Sequence, residues 1–216
     1  MRRIAPLALL VVVLAGCRPL LPFPILSTDV SFSSEIVPVV AEDVPHSWRA
    51  GCPVGLEDLR LVSVTHRGFD GDAHQGALVV HADHAASVVS VMAQLFEAGF
   101  PIERMELVDA YGGDDDASMA ANNTSAFNCR EVSRRPGVWS QHAFGTAIDI
   151  NPLQNPYILR NGTVLPPDAV TDRSRPVTGL ITPDSIAVEA FAGIGWSWGG
   201  GWTGVVDYQH FSASGR

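Results

Sequence analysis

The chain has 216 residues and no lysine; all 14 of its cations are arginine. We read this as a coding bias rather than a mechanism. Acidic residues outnumber the cations, 23 to 14, giving a formal charge of −9. That balance speaks against a nucleic-acid binder, which needs a basic face. Charge is sparse, at 17% of residues against 46% hydrophobic, so the composition fits neither a disordered chain nor a coiled coil. There is no internal repeat. The length suffices for one well-packed domain and is short for two. No apolar run is long enough for a comfortable bilayer span; the run Leu7 to Leu14 is far shorter than a membrane helix needs.

That run has a different meaning. Arg2 and Arg3 precede it and Leu14-Ala15-Gly16-Cys17 follows it. A basic start, a short apolar core and small residues before a cut site describe an export signal. Its last four residues resemble a bacterial lipobox, in which the cysteine is lipidated and becomes the new N-terminus. Residues 1–16 are then a removable leader, and Cys17 anchors the protein on the outer face of the cytoplasmic membrane. The alternative is an ordinary export signal in which the cysteine is incidental.

Cysteine is scarce too, with three in all. Setting Cys17 aside leaves Cys52 and Cys129. Outside the cytoplasm such a pair reads as a disulfide, worth about 4–5 kcal/mol through restriction of the unfolded chain. The alternative is two buried free thiols.

Residues 17–45 are rich in proline and serine and read as a tether, with an edge strand possible within 34–41. Residues 46–216 form the domain. Leu59 to Val64 and Ala77 to His81 have strand character and suggest a hairpin with a long loop. Asp83 to Ala98 carries apolar residues at helical spacing, with Asp83 as cap and Gly99 after the end. Ile102 to Ala110 reads as a strand and Tyr111 to Asn122 as a loop, with Asp114-Asp115-Asp116 in a solvated turn. A second helix is expected from about Pro183 to Ala192, capped by Thr182.

Two segments carry chemistry. In Ser140-Gln141-His142-Ala143-Phe144-Gly145-Thr146-Ala147-Ile148-Asp149-Ile150, the residue types after Gly145 favour a strand. Ala147 and Asp149 then share one face, while Ile148 and Ile150 enter the core. A straight strand would put His142 on the opposite face from Asp149, so a bend at Gly145 is required. The second segment, Asp207-Tyr208-Gln209-His210-Phe211, adds a histidine and a carboxylate. Two histidines and one aspartate suit Zn²⁺ with a fourth position open to water. Asp207, three residues before His210, fits a general base. The implied reaction class is metal-assisted amide hydrolysis.

The pattern S-x-H-x-x-G-x-A-x-D followed by D-x-x-H-F resembles the VanY-type zinc peptidases, the D-alanyl-D-alanine carboxypeptidases and L-alanyl-D-glutamate endopeptidases. Every defined position matches. The resemblance implies His142, Asp149 and His210 as zinc ligands and Asp207 as catalytic base. It implies an α+β fold, an antiparallel sheet with flanking helices of the Hedgehog and DD-peptidase kind. It also implies peptidoglycan stem peptides as substrates. The family uses an arginine to hold the substrate or polarise its carbonyl. The nearest match is Arg130 in Ser125-Ala126-Phe127-Asn128-Cys129-Arg130, where two residues are inserted; Arg134 and Arg135 fit less well. A structural arginine is the alternative.

Ser140 belongs to the motif and to the expected substrate site. Trp198 and Trp202 flank Gly199-Gly200-Gly201 and either wall a cleft or pack under the turn, as does Trp196. His66, Asp70, Asp72 and His74 offer a second possible cation loop, though such residues are common in turns. The expected protein is a monomeric envelope lipoprotein. Its rival from another class is a wall-binding lipoprotein that keeps zinc without turnover.

Overall fold

A computed structural model describes residues 30–132 and 135–216. The leader, Cys17 and most of the tether lie outside these residues, as does Arg134. The architecture is α+β, with antiparallel sheets and few helices. In chain order the strands begin with β1 (Ser34–Pro38), β2 (Leu59–Arg67) and β3 (Ala73–His81). Helix α1 (Ala85–Glu97) follows, then β4 (Arg104–Met105), α2 (Asp115–Ala120), β5 (Asn123–Thr124), β6 (Ala147–Asp149), β7 (Tyr157–Ile158) and β8 (Val164–Leu165). Last come α3 (Ile186–Gly193), β9 (Ser197–Trp198), β10 (Val206–Asp207) and β11 (His210–Ser212).

Strand alternation builds the first sheet, ordered β1-β2-β3. Val62 and Val64 on β2, with Leu78 and Val80 on β3, face the main core; Leu59 and Val79 face a second cluster containing Phe127 and Cys129. Helix α1 lays Val88, Val91, Met92 and Leu95 on the main-core face, and α3 adds Ala187, Ala190 and Phe191. The core is closed by a second sheet, ordered β6-β11-β9, through Ile148 and Phe211. Phe211 has no exposed surface and stacks on Phe191, with ring centroids 4.2 Å apart. Phe211→Ala is expected to cost about 3–5 kcal/mol, read from the denaturant midpoint.

Several boundaries differ from the sequence reading. The edge strand expected within 34–41 is present as β1, which pairs with β2 through Ser34 to Pro38 and so extends the packed region ahead of His46. The expected long hairpin loop is short, because β2 and β3 pair through Arg67 and Ala73. Asp83 does not cap α1; it lies in a 3-10 turn before it and donates its backbone N–H to His81. Gly99 does terminate the helix, with φ of +68°. The strand expected over 102–110 shrinks to two residues, which pair in parallel with β5, and Val108–Tyr111 is a 3-10 turn. The expected loop over 111–122 contains α2, capped by the Asp114 carboxylate on the N–H of Ala117. An aspartate that fills an open helix N-terminus is a cap before it is a solvated charge. α3 starts at Ile186, because Thr182 to Ser185 is taken up by a turn closed from Ser185 N–H to the Thr182 carbonyl.

Cys52 and Cys129 are joined by a disulfide. It ties the segment after β1 to the chain just before Arg130, and Arg49 donates to the carbonyl of Cys129 beside it.

Candidate active site

The first motif does not run as one strand. Gln141–Phe144 is a 3-10 turn whose first N–H groups are met by Ser140, since His142 N–H donates to the Ser140 hydroxyl at 3.3 Å. Gly145 follows with φ of +67°, the bend that the His142–Asp149 spacing requires. A Cβ there would lie 2.6 Å from the backbone nitrogen of His81, so both conformation and space demand glycine. β6 then begins, and Ile148 and Ile150 enter the core as expected.

The second motif meets the first across a ladder. β11 pairs antiparallel with β6, and His210 stands directly opposite Asp149. Cross-strand partners on one face are close enough to touch. His210 Nδ1 lies 2.9 Å from Asp149 Oδ1, and His142 Nε2 lies 3.2 Å from Asp149 Oδ2. The two imidazoles approach within 3.4 Å, Nε2 to Nδ1. His142 Nδ1 donates to the Ala126 carbonyl at 2.5 Å, which fixes the ring and leaves Nε2 for the cluster. All three side chains are buried.

Among the described residues this is the group of three metal-type side chains that converges, with donor atoms within 4.8 Å of one another. Two imidazole nitrogens and a carboxylate oxygen, all buried and with the His142 ring held from behind by the Ala126 carbonyl, fit a divalent cation. Burial pushes the Asp149 carboxyl up, but the charges of His142 and His210 and their hydrogen bonds outweigh it and hold the group well below the ordinary carboxylate range. For His142, burial works against the charged form and Asp149 outweighs it, so its value is raised.

Asp207 sits beside this cluster on β10, whose partner β7 places Tyr157 across from it. It is buried, and among the described residues its Oδ1 has no hydrogen-bond partner. Burial, and then the charge of Asp149, push its carboxyl up to about 7; His210 and Arg130 counter only part of this. A carboxylate in that range can both accept and return a proton near neutral pH.

The four residues open on one cleft of about 580 Å³. Arg130 lines it too, with its Nη2 2.8 Å from the Asp115 carboxylate. Ser140 lies on the wall, where it also serves the His142 turn. Trp202 lines the cleft with its ring 5.4 Å from that of His210. Trp198 does not line it: its indole donates to the Tyr208 carbonyl at 2.8 Å and its ring packs under the glycine turn, against the main core. Trp196 is buried in that core. Two of the three tryptophans therefore follow the packing reading.

The loop of His66, Asp70, Asp72 and His74 does not gather a three-residue donor group; His74 Nε2 pairs with Asp70 at 3.0 Å on the surface. Asp115 and Tyr157 were missed as cleft residues. For Asp115 the signal was present, since an aspartate cap at Asp114 with two more acids in the first turn and then Ala117-Ser118-Met119-Ala120 reads as a short helix. Tyr157 offered none, because only the β7–β10 pairing brings it to Asp207.

Residues 133–213, rather more than a third of the chain, match a family model described as D-alanyl-D-alanine carboxypeptidase, of the VanY-like M15 peptidases. The matched stretch contains His142, Asp149, Asp207 and His210, whereas Arg130 and Asp115 precede it. No curated protein and no solved structure matches the chain.

Proposed function

We propose, with the M15 peptidase match of residues 133–213 as premise, that the protein is a zinc-dependent peptidase acting on peptidoglycan stem peptides. The observation that carries this reading is Asp207. A buried carboxylate with an elevated pKa and an unfilled oxygen shares one cleft with three convergent metal donors.

His142, Asp149 and His210 would hold the ion. When bound, zinc supplies a Lewis acid for a scissile carbonyl and makes water acidic enough to furnish a nucleophile near neutral pH. Asp207 takes the proton from the attacking water and hands it to the leaving amine. Arg130 offers the substrate unfilled guanidinium donors, and Trp202 gives it an apolar wall. The anchoring of the domain by a lipid on Cys17, facing the wall from the outer side of the cytoplasmic membrane, belongs to the same proposal.

The non-catalytic rival has no use for a proton acceptor beside the metal donors. The test is incubation of the purified protein with a defined stem pentapeptide and zinc, with product masses read with and without chelator. Release of a fragment that stops on chelation and returns with zinc is expected. Intact peptide in every arm, from protein that binds one zinc per chain, overturns the reading in favour of the rival.

A further inference from the structure

The substrate-facing arginine is not a free charge. Arg130 and Asp115 are joined at 2.8 Å, and each side chain is about three-quarters buried, at 28% and 26% exposure. Asp115 is held in place as the first residue of α2, next to the Asp114 cap. The pairing uses Nη2; Nε is buried and, among the described residues, has no partner. A guanidinium has five donors, so Arg130 keeps hydrogen-bonding capacity while its net charge is cancelled locally. Arg135 and Arg216 also border the cleft, but both are exposed, where solvent and salt screen them. Asp116 borders the cleft as well and is exposed in the same way.

A peptide bond can be followed by a free terminal carboxylate or by further chain. The first places a terminal anion next to the cut; the second replaces that terminal anion with a neutral amide. Resting on the peptidase reading above, we propose that Asp115 is a specificity-determining residue. By cancelling the charge of Arg130 it leaves donors suited to a neutral carbonyl, so the cleft favours bonds with chain continuing past the cut over bonds next to a terminal carboxylate.

The experiment compares two stem peptides that differ only in a C-terminal acid or amide after the scissile bond, with kcat/KM and calorimetric affinity measured for each. The wild-type protein is expected to accept the amide at least as well as the acid. Asp115→Asn, close in shape and without charge, is expected to shift the acid-to-amide ratio about tenfold toward the acid, the scale of removing one partly screened charge from a nearby anion. Asp115→Glu is expected to keep the wild-type ratio. A wild-type preference for the acid above tenfold overturns the proposal without any variant. So does an unchanged ratio in Asp115→Asn with wild-type melting temperature and zinc content. If neither peptide is cut, the peptidase reading fails by itself, and the two affinities still decide the role of Asp115.

Discussion

Asp207→Asn is expected to lower kcat about 10²–10⁴-fold, the usual contribution of a placed acid–base group, while leaving zinc content unchanged. Asparagine keeps the shape and polarity of the side chain but cannot take up a proton. The same substitution is expected to stabilise the metal-free protein at neutral pH. The folded-state pKa of Asp207 is raised from 3.8 to about 7. A raised group gives stability that is fully present below the unfolded value and is lost as pH rises through the folded one. Between about pH 4 and 7 the wild-type apoprotein therefore loses this contribution, and Asn removes the loss. His142, also raised, adds a loss in the same direction as pH climbs past its ordinary value of 6.5. Asp149, depressed, acts oppositely: its contribution is present above 3.8 and disappears as pH falls through its folded value. Thermal melts of apoprotein from pH 2 to 8 check the pattern. A variant with full kcat, or one whose apoprotein melts lower than wild type at pH 7.5, contradicts it.

Removal of the disulfide is expected to have the largest effect on stability. The bonded cysteines are separated by 77 positions, and opening a loop of that size costs about 4–5 kcal/mol in the chain-entropy account. That is comparable with the whole net stability of many domains. The Cys52→Ala, Cys129→Ala double variant avoids stray thiols and isolates this effect, measured from urea unfolding with and without zinc. A loss below about 1 kcal/mol would mean that the second hydrophobic cluster, where Val39, Val44 and Phe127 pack around Cys129, holds the segment unaided. Because Arg130 follows Cys129 directly, the variant is also expected to raise KM.

The candidate metal donors were legible because chemistry imposes spacing on them. His142 and Asp149 share one short segment, and the need for a bend at Gly145 follows from strand alternation alone. The opposition of His210 and Asp149 was not legible, since a register across 61 positions is fixed by the pairing of β6 and β11 and not by any local pattern. The acidic triplet misled for a related reason. Three adjacent aspartates look alike in sequence, yet one caps α2, one pairs with Arg130 and the third borders the cleft. The role of each depends on a helix too short to leave a periodic trace. Conversely, Phe211 looked like part of a catalytic signature, and its rigid stacking on Phe191 beneath His210 gives that position a packing reason.

The ladder between β6 and β11 also bears on the order of assembly. Its two strands are distant in the chain, so their pairing carries a high loop-closure cost and belongs among the slow steps of folding. Before it forms, His142 and Asp149 are near neighbours without their third donor. On the zinc peptidase reading, tight uptake of a cation is therefore expected to coincide with the closing of this sheet, and a metal-sensitive dye followed during refolding would serve as a clock for it.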